Sequence, residues 1–89
     1  MSYGRILWDD ENDPDSNVEH IHQHDLTIED VEYVLSNATE QGVSRSTGHP
    51  VVWGYTEDGR YTIVVFQELE EDLIRVITAY EVPEPRRGA

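Results

Sequence analysis

The chain contains no cysteine, which excludes disulfides, thiolate nucleophiles and cysteine-ligated zinc, and which suits a reducing compartment. It contains no lysine either: all 6 basic residues are arginine, and they face 19 acids. No apolar run approaches the ~20 residues needed to cross a bilayer, and no basic start leads into an apolar segment. The expectation is therefore a soluble, cytoplasmic protein with no membrane partner. With 89 residues there is room for one domain, expected to span residues 1–82, whose core must be compact because a chain this short buries only about 60–65% of its unfolded surface. Pro83 and Pro85 end regular structure, so residues 83–89 read as a disordered tail.

Acid is abundant. The formal charge is −13, far from the profile of an ordinary nucleic-acid binder, although salt screens such a field over a few ångström at high ionic strength. Five acids fall within Asp9 to Asp15 and four within Glu68 to Asp72. Neither cluster has the glycine-containing spacing of a calcium loop, so both read as solvated loops.

The histidines in "NVEHIHQHDLTIEDVEYVL" raise the question of a metal. Three histidines spaced by two share a face only in an extended segment, and this segment carries helix signals. Asp13 and Pro14 suit an N-cap and first helical position. On a helix from Pro14 to His24, the residues Asn17, His20, Ile21 and His24 form one stripe facing the sheet, and His22 points away. A metal would need a third ligand from elsewhere, so no metal site and no cofactor is expected. Thr27 reads as the N-cap of a second helix, Ile28 to about Asn37, with Asp30 as its capping-box acid and Leu26 stapled onto Val31.

Strands account for most of the remainder. "GRILWD" is a short apolar run, and a short strand is expected at Val43 to Ser46. Val51 to Thr56 and Arg60 to Gln67 flank "EDG", where Gly59 supplies the positive φ of a tight hairpin. Tyr61, Ile63 and Val65 alternate with Thr62, Val64 and Phe66, so this strand is covered on both faces and central. "LIRVITAY" alternates again. Trp8 and Trp53 lie in apolar strand runs and read as core residues. The expected fold is α+β: an N-terminal strand, a two-helix hairpin, then an antiparallel sheet of three to four strands with the helices on one face.

In this order and spacing, "ILWD", Asn17, His20, Ile21 and His24, "LTIEDVEYVL", "GYTEDGRYTIVVFQ" and "RVITA" resemble the BrnT family of small toxins, within the RelE/ParE-like ribonuclease fold. The resemblance runs from Ile6 to about Ala79. It implies the toxin component of a type II toxin–antitoxin module, cleaving RNA without a metal. The implied partner is an antitoxin protein carrying a ribbon-helix-helix DNA-binding domain. Such cleavage needs a base for the ribose 2′-OH, cations for the phosphate charge and an acid for the leaving oxygen. The candidates are Arg60 and Arg75, which match recurring arginines of the family, Arg45 on the expected short strand, and His20, His24 or His49 as proton carriers. The chain departs from the pattern after "ITA". Tyr80 stands where the family has an arginine, and no basic C-terminal helix follows. The alternative is thus a catalytically degenerate member serving as a protein-binding module, with the exposed sheet face or the edge of the last strand as the partner's seat.

Overall fold

The computed structural model describes residues 5–8 and 17–84, and of Asn17 and His20 the backbone alone. The expected N-cap at Asp13, the proline at position 14 and the tail from Pro85 lie outside the described residues. In chain order the elements are β1 (Arg5–Leu7), α1 (Asn17–Gln23), α2 (Ile28–Ser36), β2 (Glu40–Val43), β3 (Pro50–Tyr55), β4 (Tyr61–Glu70) and β5 (Leu73–Glu81). The five strands form one sheet in the order β1-β5-β4-β3-β2. The α+β reading holds, but the sheet is mixed rather than wholly antiparallel, because β1 runs parallel to β5, Arg5 to Leu7 lying beside Leu73 to Arg75.

The two helices pack on one face. Ile21, Leu26, Val31, Val34 and Leu35 from the helical side meet Val52, Val64, Phe66, Ile74, Val76 and Ala79 from the sheet, with Ile6 and Trp8 at the margin. On the opposite face Val51, Ile63 and Val65 form a smaller cluster with Trp53, Ile77 and Val82. Both tryptophans thus pack against apolar clusters, as their strand setting suggests. β4 is the central strand, and every residue from Tyr61 to Phe66 is buried, the two-sided burial that its double alternation predicts.

Between the helices, α1 closes with a Schellman motif. The Leu26 N–H donates to the Ile21 carbonyl and the Asp25 N–H to the His22 carbonyl, each at 3.0 Å. Asp25 occupies the left-handed position usually taken by glycine, with φ of 63°. The capping box at α2 forms as expected: the Asp30 N–H donates to the Thr27 hydroxyl, and the Thr27 N–H to the Asp30 carboxylate, both at 3.1 Å. Such a cap contributes about 1 kcal/mol.

Three sequence expectations need correction. The short strand is Glu40–Val43, not Val43–Ser46. Its pairing with Pro50 to Trp53, rather than local β-propensity, forms it, since glutamate, glutamine and glycine are poor strand formers. Among the described side chains of α1, Val18 and Ile21 are buried, and of the expected stripe it is His24 that departs, lying past the helix end and exposed. The edge of the last strand, expected to be open, is occupied by β1 along Leu73 to Arg75.

Candidate functional site

The residues expected to act together do not gather at one place. At one end of the sheet, the β3–β4 turn brings Arg60 against the α1–α2 turn. Its Nη1 donates to the Asp25 carbonyl at 2.8 Å, its Nη2 to the Asp30 carboxylate at 3.1 Å, and its Nε to the Asp58 carboxylate at 3.1 Å. The guanidinium is therefore shared among three segments, and the Arg60 and Asp30 side chains are only 24% and 20% exposed. The turn has its own support. Buried Thr56 donates its hydroxyl to Asp58 and accepts from the Arg60 N–H at 3.0 Å, and Gly59 turns the chain with φ of 89°. The Thr56 hydroxyl, then Arg60, hold the Asp58 carboxyl below its ordinary value. Asp58 in turn raises the pKa of Arg60 further, so this arginine is a permanent cation already surrounded by anions.

His24, the residue before Asp25, belongs to the same corner. Its ring lies against Tyr80 of β5, centroids 5.7 Å apart and planes tilted by 47°. Tyr80 faces Ile63 across the sheet, three residues beyond Arg60. Two expected site residues thus lie at one corner: Arg60 is bonded to the carbonyl of Asp25, and His24, the residue before it, packs on Tyr80.

Arg75 is elsewhere. It faces Gln67, seven residues beyond Arg60 along the chain that forms β4, or about 23 Å at roughly 3.3 Å per residue. Its neighbours Ile74 and Val76 are in the helix-side core, so alternation turns Arg75 to the opposite face. The two arginines cannot close around one phosphate in this arrangement. Arg45 lies not on a strand but in the exposed turn after β2, near His49, toward the end of the sheet remote from Arg60. The expected role of His20 rests on a side chain outside the described residues.

No group of three or more histidine, aspartate and glutamate side chains among the described residues is gathered as a metal would require. No described helix is long and apolar enough to cross a membrane. The sequence missed the partners of Arg60. Asp25 and Asp30 lie 35 and 30 residues away along the chain, and the one readable signal was the positive-φ glycine before an arginine. A carboxylate-rich corner with one neutralised cation is a poor phosphate cradle and a good structural clamp.

No curated protein and no solved structure matches the chain. A family model described as a domain of unknown function, DUF4258, matches residues 18–81, from the first buried valine of α1 to the end of β5. That match covers most of the chain, including both helices and four of the five strands, and the protein belongs to the DUF4258 family.

Proposed function

We propose that this protein is a BrnT-like, RelE-like component of a two-protein toxin–antitoxin module whose main role is to bind its partner protein rather than to cleave RNA. The motifs and the order of strand, helical hairpin and meander support the likeness. One observation carries the preference for binding: Arg60 is bound on three sides by Asp25, Asp30 and Asp58, while Arg75 lies about 23 Å away along the strand, at roughly 3.3 Å per residue, and on the other face. Stabilising the extra charge of a phosphorane requires cations free to meet it, and each such contact is worth on the order of a hundredfold in rate. The net charge of −13 repels the same substrate.

A second reading, metal-independent RNA cleavage, is favoured by the contact of His24 with Tyr80 beside Arg60. There His24 would carry the proton and Tyr80 would donate a hydrogen bond in place of the missing arginine. Incubating the purified protein with single-stranded RNA and a chelator separates the two. The binding reading predicts no cleavage above buffer. Cleavage that falls on the order of a hundredfold in folded His24→Ala and Tyr80→Phe variants, and that rises then falls with salt as repulsion is screened before contacts are, would establish the second reading instead.

A further inference from the structure

β2 is an edge strand, and among the described residues nothing pairs with its outer side. Its backbone polarity follows from the turn beside it. The Ser44 N–H donates to the His49 carbonyl at 2.8 Å, so Ser44 and His49 form a hydrogen-bonded pair. Antiparallel ladders alternate, which turns the amide groups of Gly42 inward to Val51 and those of Gln41 and Val43 outward. Pro50 agrees with this register. It sits opposite Val43 in a non-hydrogen-bonded pair, where its missing N–H costs the β2–β3 ladder nothing.

The same edge borders an open groove of about 360 Å³ on the helix side of the sheet, lined by Gln41, Val43, Pro50, Val52, Phe66 and Glu68. Val43 is 66% exposed, the largest exposure among the large apolar side chains of the described residues, and Phe66 forms part of the floor. An added strand would present alternate side chains to this groove while its backbone met Gln41 and Val43. Glu40 on the edge strand and Glu68 in the groove are both exposed, and the whole chain carries −13. A second copy of the chain would bring the same charge to the edge and be repelled, whereas a cationic segment is attracted. We infer that the outer edge of β2 and its groove seat an extended, basic segment of a partner protein, one that alternates apolar with arginine or lysine residues and pairs with β2 as a sixth strand. The inference names the surface used by the partner proposed above and rests on that reading for its biological meaning.

The test uses the intact protein and a blocked decapeptide of alternating arginine and valine, beside a twin N-methylated on the amides that would face β2. Charge and composition match in the two peptides, so general attraction to an acidic surface affects both. Expected results are slowed hydrogen exchange at the Gln41 and Val43 amides when the first peptide is bound, and weakening on the order of tenfold for the twin and for Gln41→Pro, which removes one outward donor. Equal binding of both peptides, unchanged exchange at Gln41 and Val43, no binding, or self-association of the free protein through β2 each overturns the inference. A natural partner that co-purifies while these two amides exchange freely in the complex leaves the partner reading intact and removes this surface. Docking of the peptide with no natural partner does the reverse.

Discussion

Replacing Arg60 by alanine is expected to destabilise the protein by about 2–3 kcal/mol, because it breaks a part-buried ion pair and takes from the Asp25 carbonyl the donor that Arg60 supplies. The residue ties the β3–β4 turn, through Asp58, to the carbonyl of Asp25 and to the carboxylate of Asp30 that also caps α2. Loss of the side chain releases all three at once and leaves Asp25, Asp30 and Asp58 to repel one another. In a domain of this size the thermal midpoint should fall by roughly 10–20 °C. Arg60→Lys should recover little, since an ammonium lacks the planar fork that reaches three acceptors. Thermal unfolding followed by circular dichroism measures both. A midpoint within about 2 °C of the parent for the alanine variant would mean that the clamp is not a stability element.

The same clamp has a pH signature. Asp58 has its pKa lowered in the folded state, first by the Thr56 hydroxyl and then by Arg60. A carboxyl shifted in this direction contributes stability above its unfolded pKa and loses it as pH falls through the folded value. Acidification below about pH 4 should therefore remove a stabilising contribution that Asp58→Asn never had, and the two proteins should converge in stability as the pH falls further.

Gly54→Val should be comparably costly for a different reason. Gly54 lies on β3 beneath the C-terminal end of α2. A Cβ there would come within 3.2 Å of the Ala38 Cα and 3.4 Å of both the Asn37 carbonyl oxygen and a Val34 methyl. Two of those neighbours are backbone atoms and cannot rotate away. Overpacking against backbone costs about 3 kcal/mol, and valine adds two methyl groups beyond the Cβ. The helix must lift from the sheet, which opens the core between Val34, Leu35, Val52 and Val64. Urea unfolding should show a lower midpoint with an unchanged slope. A midpoint equal to the parent's would show that the helix end yields without loss.

These two positions mark where sequence reading stops. The capping box of Thr27 and Asp30, the Gly59 turn and the two-sided burial of β4 were legible because each is a local rule: a spacing of three, a positive φ, an alternation of two. Gly54 carries no local mark in "VVWGYT". Its necessity comes from a helix end that arrives from a different part of the chain. The parallel seat of β1 on β5 joins Arg5 to Leu73, a pairing that three residues of sequence cannot announce. β2 was displaced by three residues because "EQGV" is strand-like only through its partner β3.

The candidate site follows the same division. Arginine and histidine as residue types were visible, and Arg60 is bonded to the residue that follows His24. Their partners were not visible. Periodicity says which way a side chain points, yet whether Arg60 meets a phosphate or three acidic segments depends on how the two turns fold together. The BrnT-like resemblance names arginines without stating how many carboxylates surround them in this chain, where acids outnumber basic residues 19 to 6.

The most direct test of the partner-binding account is co-expression of the chain with the small reading frame beside its gene, followed by purification through a tag on the chain alone and measurement of the mass in solution. The account predicts a stable complex of defined stoichiometry whose second component carries a basic, apolar-alternating segment. A chain that purifies alone, monomeric and without a partner, while cleaving RNA in the presence of a chelator, would contradict it.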